Sequence, residues 1–383
     1  MDTSPTAAEP TLKATCARKD LFDGVQTVAH AVSGRSALPI LSHVLVQAEE
    51  GGLRLSATDL QLSIALSIPA TVEEPGALTA TARVLTELLG TLPESEVAIS
   101  VDRSHAVRLH CDRSDYKLLG LPPEEYPRLP EVQEANSFRL PQARLRSMIR
   151  DTVFAVSTDE ARPILTGVLM DFADNSVRFV ATDTHRLAMR QAPVQNGQGA
   201  QAAIVPARAM NELQRLLTGD EGDVHVRLSG NQVMFATPGG AGVVSRLIEG
   251  QFPNYQRVIP SAHRTRLTLE TQPMLRAVRR ASIVARGSLD RVVLRTLDDR
   301  LTITAESSAE GNAYEEVEVA REGDDVQIAF NAKYLLDVLG VLDEEGFRLD
   351  VTEPLKPGIV RPVPSEEVAG DEYLCVLMPM QIV

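Results

Sequence analysis

The sequence predicts an α+β protein built from three repeated domains, each an antiparallel sheet with two helices. The main observation is one short stretch that occurs three times along the chain. Its copies are Ala82-Arg83-Val84-Leu85-Thr86-Glu87-Leu88, Ala207-Arg208-Ala209-Met210-Asn211-Glu212-Leu213 and Ala332-Lys333-Tyr334-Leu335-Leu336-Asp337-Val338. They begin 125 residues apart (207 − 82 and 332 − 207), an interval the size of a domain rather than of a solenoid repeat. A chain of 383 residues also exceeds what one hydrophobic core usually organises, roughly 250–300 residues.

Two helices are predicted in each repeat. The repeated stretch reads small, basic, any, Leu or Met, any, acidic, aliphatic, which fits one face of an amphipathic helix. An earlier helical pattern precedes it in each copy, at about residues 17–33, 141–157 and 271–286.

Between the two helices, each repeat predicts a β-hairpin. Two β-rich runs flank a polar turn, as residues 49–52 and 298–300 illustrate. The paired runs are 40–45 with 57–59, 164–169 with 181–183, and 292–295 with 301–305. Further strands are predicted at 96–101, 223–228 and 347–351. The predicted domains are 11–133, 134–260 and 261–383, after a flexible tail at residues 1–10.

Composition narrows the class of protein. The chain is 44% hydrophobic but only 4% aromatic, with no Trp, so the predicted cores are aliphatic. No run of 18 apolar residues predicts a membrane span, and the first ten residues lack the pattern of a signal peptide. Cys16, Cys111 and Cys375 are scattered and lack zinc-ligand spacing. We therefore expect a reduced, cytoplasmic protein that has no membrane partner.

Charge is distributed unevenly over the predicted domains. The first carries 11 basic and 18 acidic residues, the second 13 and 12, and the third 14 and 22. An acidic total of −14 normally argues against nucleic-acid binding, because phosphate contacts dominate such binding. The basic residues, however, concentrate on or just beyond the first helix of every repeat. Those residues are Arg18, Lys19, Arg35, Arg144, Arg146, Arg150, Arg162, Arg276, Arg279, Arg280 and Arg286. The basic residues of any single helix are explained by a solvent-exposed helix face. Their recurrence on three equivalent helices favours one continuous basic surface.

The best local candidate for catalysis is the stretch containing Asp183, His185 and Arg186. Asp59 occupies the matching position in the first repeat, so this Asp is predicted to serve the turn that ends the hairpin. His185 is not repeated, because Gln61 stands in its place. No nucleophile motif or second metal-spaced His accompanies it. A binding role and a purely structural role for His185 remain open, and catalysis is the weaker hypothesis.

Cofactors are not predicted. The glycine-rich residues 239–242 lack the Lys-Ser/Thr ending of a P-loop and the strand-to-helix context of a dinucleotide fold. They are typical of a turn between strands, and no metal site is expected either.

The end of the chain is uncharged from Tyr373 onward. Residues 374–377 predict a last buried strand. Met378-Pro379-Met380 fits a strand less well, because proline cannot donate to a sheet ladder. Two thioethers beside a rigid proline would form an adaptable apolar surface for peptide ligands.

Four segments together resemble one known family, the beta subunit of bacterial DNA polymerase III, or sliding clamp. They are Leu38-Pro39-Ile40-Leu41, Ala181-Thr182-Asp183-Thr184-His185-Arg186-Leu187-Ala188, Phe252-Pro253-Asn254-Tyr255-Gln256-Arg257-Val258 and Val376-Leu377-Met378-Pro379-Met380. The similarity covers nearly the whole chain after residue 10. It implies a ring-shaped, head-to-tail homodimer of three-domain subunits around duplex DNA, without catalysis of its own, that confers processivity in DNA replication.

The resemblance also implies partners and a docking site. Polymerase alpha subunit, clamp loader and other proteins with clamp-binding peptides would insert a peptide between the second and third domains. The implied groove consists of Leu165, Thr182, Thr184, His185, Arg186, Leu187, Pro253, Val258, Leu355, Pro357, Val376, Leu377, Met378, Pro379 and Met380. Positions matching the family's dimer contact are Tyr116 and Leu118 on one side, and Ile283 and Val284 on the other. Arg35 and Arg162 match positions that approach DNA.

The chain departs from the family pattern at two groove positions. Thr184 stands where the family usually has Gly, and Gln381 replaces a usual Arg. Two rival classes remain at this point: a hydrolase that uses Asp183 and His185, and a modular adhesion protein. The basic helices and the cysteine usage argue against the adhesion protein.

Overall fold

The computed structural model describes residues 12–32, 38–130, 136–173, 175–194, 200–363 and 370–382. The predicted tail at 1–10 and Arg35 lie outside this range. The α-helices of the described residues are α1 Arg18–Ala29, α2 Ala82–Thr91, α3 Gln142–Val153, α4 Ala207–Leu216, α5 Thr271–Ala285 and α6 Ala332–Leu339. Short 3-10 helices lie at Pro39–Ser42, Pro123–Glu125, Pro163–Leu165, Tyr255–Val258 and Arg286–Ser288.

Antiparallel strands make up most of the remaining structure. In the first third of the chain they are β1 Lys13–Ala17, β2 His43–Glu49, β3 Gly52–Thr58, β4 Leu62–Pro69, β5 Thr71–Glu74, β6 Gly76–Thr81, β7 Glu96–Val101, β8 Ala106–Cys111 and β9 Ser114–Leu119. Next come β10 Asn136–Pro141, β11 Gly167–Ala173, β12 Ser176–Thr182, β13 Arg186–Pro193, β14 Gln201–Pro206, β15 Asp223–Ser229, β16 Gln232–Ala236 and β17 Gly242–Arg246. The last are β18 Thr265–Glu270, β19 Arg291–Leu297, β20 Arg300–Ser307, β21 Gly311–Glu318, β22 Ala320–Gly323, β23 Gln327–Asn331, β24 Gly346–Val351, β25 Gly358–Val363 and β26 Glu372–Leu377.

The predicted repeat of helices and hairpins is confirmed, but the first strands of two hairpins begin later than predicted, because residues 40–42 and 164–165 lie in 3-10 helices. Helices α2, α4 and α6 begin at Ala82, Ala207 and Ala332, the first residues of the three repeated stretches. Helices α1, α3 and α5 precede them, as the sequence predicts. The three hairpins are β2–β3, β11–β12 and β19–β20, each paired antiparallel. The α+β fold with antiparallel sheets follows from this pattern.

One compact unit comprises residues 1–137 and 215–246. Its sheets follow the strand orders β5-β1-β7-β8-β9 and β15-β16-β17-β4-β3-β2-β6. Strand β17 pairs with β4, so strands from the second repeat extend a sheet of the first. Helix α1 packs on β3 and β4 through Leu21, Val25 and Val28, which are fully buried.

The other compact unit comprises residues 138–214 and 247–383. A nine-stranded sheet with the order β14-β11-β12-β13-β26-β25-β24-β18-β22 joins strands of the second and third repeats. The junction is the antiparallel pair β13–β26, in which Arg186 lies opposite Leu377. A second sheet has the order β21-β20-β19-β23. Helix α5 packs on β20, β21 and α6, and α3 packs on β12 and β13.

The N-terminus of helix α6 is capped by the side chain of Asn331. The Asn331 Oδ1 accepts hydrogen bonds from the backbone N–H groups of Lys333 (2.9 Å) and Tyr334 (3.4 Å), which have no intrahelical acceptor. Elsewhere, none of the helices in the described ranges is long and apolar enough to cross a bilayer.

Candidate functional site

The turn between β12 and β13 holds the residues that the sequence singles out. The Asp183 Oδ1 accepts hydrogen bonds from the N–H groups of His185 (2.8 Å) and Arg186 (2.9 Å). In the first repeat, the Asp59 Oδ1 does the same for Gln61 (2.9 Å) and Leu62 (2.8 Å). The prediction that this Asp serves the turn is confirmed, because both carboxylates bind the backbone that reverses the chain.

The turn also requires a left-handed residue directly after the Asp. Thr184 has φ of +79°, and Leu60 has φ of +75° at the matching position of the first repeat. Glycine adopts this conformation freely, whereas a β-branched residue such as Thr is strained there. The departure noted in the sequence therefore falls on a position whose backbone favours glycine.

The buried Arg186 side chain connects the second repeat to the third. It is 7% exposed, and its three nitrogen atoms each have a partner: Asp183 Oδ2 (3.2 Å), Asp337 Oδ2 (2.5 Å) and the Phe154 carbonyl oxygen (2.6 Å). The guanidinium carbon lies 4.5 Å from the ring centre of Tyr334, a cation–π contact. Asp337 is the acidic position of the repeated helix, so α6 is fixed to the turn through this residue.

His185 is exposed and has no catalytic partner arrangement. Its ring is stacked on Tyr334 with 6.3 Å between centroids, and its carbonyl oxygen accepts the N–H of Met378 (2.9 Å). Burial raises the pKa of the Tyr334 hydroxyl and raises the pKa of the Cys375 thiol to about 12. The Cys375 thiol is therefore protonated at neutral pH and unsuited to nucleophilic attack. The described residues also contain no cluster of His, Cys, Asp and Glu that could hold a metal ion.

Beside this turn lies an apolar cavity of about 200 Å³. Nine of the groove residues implied by the resemblance line it: Leu165, Thr182, Thr184, Arg186, Leu187, Pro253, Val258, Val376 and Met378. Beneath it, a buried cluster that includes Val180, Leu187 and Val376 forms the core. Val258 and Met378 are 46% and 39% exposed, so the cavity opens to solvent through apolar side chains.

The remaining implied groove residues lie outside the cavity lining. His185 is exposed beside it, and Leu377 is buried in the core at 1% exposure. Leu355 is 64% exposed, and Pro357 and Pro379 are half-buried. Met380 is also half-buried, and its N–H donates to the Ala329 carbonyl (2.8 Å), which fixes the chain end against β23.

Two lining residues were not singled out from the sequence: Asn254 and Tyr255. Both directly follow Pro253 in a segment that carries the resemblance. Their position beside a predicted groove residue is the sequence feature that could have identified them. Tyr255 is 8% exposed, and its hydroxyl oxygen has no hydrogen-bond partner among the described residues.

The basic residues predicted to approach DNA are mostly ion-paired. In α1, Arg18 pairs with Glu94 (2.5 Å) and Lys19 with Asp23 (2.6 Å). In α3, Arg144 pairs with Asp371, Arg146 is half-buried, and Arg150 pairs with Asp343 (2.7 Å). Arg162 lies in the turn after α3 and pairs with Asp159 (2.9 Å).

The predicted DNA contacts on α5 are all exposed. Arg276 and Arg279 are exposed and make no ion pair with a described residue, whereas Arg280 pairs with Glu315. Ile283 lies on the same exposed face at 61% exposure, and Val284 beside it is half-buried.

The other predicted dimer contacts lie on β9, an outer strand of its sheet. Tyr116 is 37% exposed and Leu118 is half-buried. The outer edge of such a strand has N–H and C=O groups that are not bonded to another strand of the sheet.

Comparison with known proteins assigns the chain. Three domains of one family match in order: the N-terminal domain of the DNA polymerase III beta subunit at residues 12–130, the central domain at 139–254 and the C-terminal domain at 256–381. A beta sliding clamp from Halalkalibacterium halodurans is 34% identical over 364 residues, or 91% of this chain and 96% of that protein. The chain belongs to the DNA polymerase III beta subunit family, the beta sliding clamps.

Solved structures agree with this assignment. The sliding clamp from Bacillus subtilis superimposes with a TM-score of 0.91 at 30% identity, covering 97% of this chain and all of that one. A clamp from Pseudomonas aeruginosa bound to griselimycin has a TM-score of 0.90 at 32% identity, with coverage of 97% and 100%. A clamp from Bartonella birtlesii, also bound to griselimycin, has a TM-score of 0.91 at 31% identity with the same coverage.

Family membership confirms the resemblance read from the sequence and settles the question of catalysis. A beta sliding clamp is a non-catalytic processivity subunit of the polymerase holoenzyme. The hydrolase hypothesis for Asp183 and His185 is therefore discarded, in agreement with the structural use of Asp183 in its turn.

Proposed function

We propose that two copies of this chain join head to tail into a ring around duplex DNA and hold DNA polymerase III on its template. In this proposal the cavity beside β13 and β26 docks peptides of the polymerase alpha subunit, the clamp loader and other partners. The observation that supports docking most directly is an apolar cavity of about 200 Å³ with exposed apolar side chains at its mouth. Peptide anchors that fill such a pocket carry most of the energy of an interface.

We propose that the docking groove continues beyond the cavity, through residues that include Leu355, Tyr334 and Met380. Leu355 is 64% exposed, Met380 is half-buried, and the half-buried Tyr334 on α6 contacts the Arg186 guanidinium. We propose that griselimycin, which two related clamps bind, also binds this chain and competes with partner peptides for the cavity.

A substitution at the cavity mouth tests docking. Met378→Asp places a charge on an exposed lining residue, so we expect the subunit to fold but to lose at least about thirtyfold in affinity for the polymerase alpha subunit. Surface plasmon resonance measures the affinity. Leu297→Asp is the matched control, because Leu297 is 50% exposed and lies outside the cavity. Equal binding by both variants would remove the cavity from the docking site.

Sliding requires weak contacts with DNA. Most predicted DNA-facing cations are already paired with carboxylates, so few are available to displace counterions from phosphates. Interchangeable phosphate contacts carry no sequence information and permit movement along the duplex. Retention on DNA then depends on enclosure rather than on affinity. We place this activity in the cytoplasm, at the nucleoid.

The test of enclosure uses DNA topology. The subunit is loaded on nicked circular DNA by its clamp loader and separated from free protein by gel filtration. We expect it to remain on the circle and to be lost after a restriction enzyme linearises the DNA. Protein retained equally on circular and linear DNA would contradict enclosure, and protein lost from both would contradict closure of the ring.

The dimer is supported by two outer strands, one without net charge and one acidic. Strand β9 carries one acidic and one basic residue, Asp115 and Lys117, whereas β21 carries Glu315, Glu316 and Glu318. Both are outer strands of their sheets. Two outer strands in separate copies can pair through their free N–H and C=O groups.

A further inference from the structure

The polar groups of the cavity differ in whether they are already satisfied. The Thr182 Oγ1 donates to the Arg186 carbonyl (2.7 Å) and accepts the Thr184 N–H (3.2 Å). The Arg186 guanidinium is fully engaged by Asp183, Asp337 and Phe154, as described above. The Tyr255 hydroxyl is the exception among these three lining residues. It is buried, and none of the described residues bonds to it.

The internal repeat supplies a direct comparison for this hydroxyl. Tyr126-Pro127-Arg128-Leu129 in the first repeat matches Tyr255-Gln256-Arg257-Val258 in the second. Tyr126 is equally buried, at 6% exposure, but its hydroxyl donates to the His43 carbonyl (3.3 Å). His43 and Gly167 are the matching first residues of β2 and β11, opposite Thr81 and Pro206 respectively. The same side chain is thus satisfied in the first repeat and unsatisfied in the repeat that has the cavity.

We propose that the Tyr255 hydroxyl recognises the partner peptide by donating a hydrogen bond to one of its carbonyl oxygens. The inference rests on the proposed docking function of the cavity. A buried hydroxyl without a partner is unfavourable in the free protein, and the unmet bond is recovered when a peptide supplies an acceptor. Carbonyl oxygens are the acceptors that every peptide carries. The hydroxyl oxygen lies among apolar side chains and is already shielded from water in the free protein, so a bond formed there is strengthened by its surroundings.

The test compares two variants that each lose only a hydroxyl: Tyr255→Phe and Tyr126→Phe, both in the full-length protein. Binding of the polymerase alpha subunit is measured by surface plasmon resonance, and thermal unfolding is measured by calorimetry. We expect Tyr255→Phe to weaken binding roughly three- to tenfold, the worth of one net hydrogen bond, without lowering the unfolding temperature. We expect Tyr126→Phe to bind like the parent but to unfold at a lower temperature, because it loses an existing bond.

Other outcomes separate the inference from the proposed function. If Tyr255→Phe binds like the parent while Met378→Asp does not bind, the cavity remains the docking site and the role of the hydroxyl is refuted. If Tyr255→Phe lowers the unfolding temperature as much as Tyr126→Phe, the hydroxyl already has a partner in the free protein, which also refutes it. Failure of the parent protein itself to bind the polymerase overturns both the docking function and this inference.

Discussion

At the scale of single residues, the site depends on a strained turn and a buried arginine. Thr184 adopts φ of +79°; its own N–H donates to the Thr182 Oγ1, and the N–H of the next residue, His185, donates to the Asp183 Oδ1. Strain of this kind costs about 1–3 kcal/mol at a non-glycine residue. The surrounding hydrogen bonds therefore hold Thr184 in a backbone conformation that is unfavourable for threonine.

We predict that Thr184→Gly raises the free energy of unfolding by about 1 kcal/mol. Relief of backbone strain is partly offset, because glycine gains roughly 0.5–1 kcal/mol of conformational entropy in the unfolded chain. Thermal unfolding followed by calorimetry measures the change. Thr218→Gly is the control, since Thr218 is exposed in a loop without a positive φ and should only lose stability. A loss of stability in both variants would show that Thr184 is not strained.

Arg186 and Arg162 form a matched pair for a second prediction. Each pairs with an Asp three residues earlier, but the Arg186 side chain is 7% exposed and that of Arg162 is 46% exposed. Lys has one point charge and cannot reproduce the planar fork that reaches Asp183, Asp337 and Phe154. We therefore expect Arg186→Lys to cost about 2–4 kcal/mol and Arg162→Lys less than about 1 kcal/mol.

Chemical denaturation of the two lysine variants distinguishes these roles. Because Arg186 connects α6 to the turn, the Arg186→Lys variant should also bind the polymerase alpha subunit more weakly, although its other cavity residues are unchanged. Equal stability of the two variants would mean that the buried bonds of Arg186 contribute nothing beyond those of a surface pair.

At the scale of elements, the sequence predicts what is local and repeated. The spacing of small, acidic and aliphatic residues places α2, α4 and α6 correctly to the first residue, because one face of each helix must be buried in every copy. The hairpins β2–β3 and β11–β12 follow in the same way, since the Asp in the turn directly after each hairpin recurs as Asp59 and Asp183. Periodicity identifies the buried face of an element, and this information was sufficient for the repeat.

The sequence does not predict which strands pair when they lie far apart along the chain. Alternation shows that β17 has an apolar face, but not that its neighbour is β4, nor that β13 pairs with β26. The same limit applies to the basic residues. A charge pattern does not show that Arg144 pairs with Asp371, which lies far along the chain. Nine cavity residues came from the resemblance, whereas the burial of the Tyr255 hydroxyl without a partner was seen only in the structure.

Helix α6 yields a prediction that concerns one element. Its cap, Asn331, accepts the N–H groups of Lys333 and Tyr334, and the helix carries both Tyr334 and Asp337 against Arg186. We expect Asn331→Ala to lower the free energy of unfolding by about 1 kcal/mol, the usual worth of such a cap, while Asn331→Asp keeps it. Amide hydrogen exchange in the first turn of α6 should accelerate in the Ala variant alone. Unchanged exchange in the Ala variant would mean that the cap does not hold the helix.

At the scale of the whole molecule, the distribution of charge and the symmetry of a dimer determine whether the basic helices can face DNA together. The acidic total of −14 is carried by the first and third predicted domains, whereas the second is nearly neutral. Acidic surfaces repel DNA, so cations such as Arg276 and Arg279 can guide the duplex only if they are brought together on one face. A closed dimer provides such an arrangement, because each copy contributes the same helices around one axis.

Ile283 provides the test of that closure. It is 61% exposed on α5, so Ile283→Asp should leave the subunit folded but place an unpaired charge in the proposed contact with the outer strand of a second copy. We expect analytical ultracentrifugation to show a shift from dimer toward monomer. Leu297→Asp, which changes another half-exposed aliphatic residue, should remain dimeric. Because enclosure needs a closed ring, the Ile283→Asp variant should also be lost from nicked circular DNA before linearisation. A variant that stays dimeric and is retained on the circle would show that the contact between copies does not involve this face of α5.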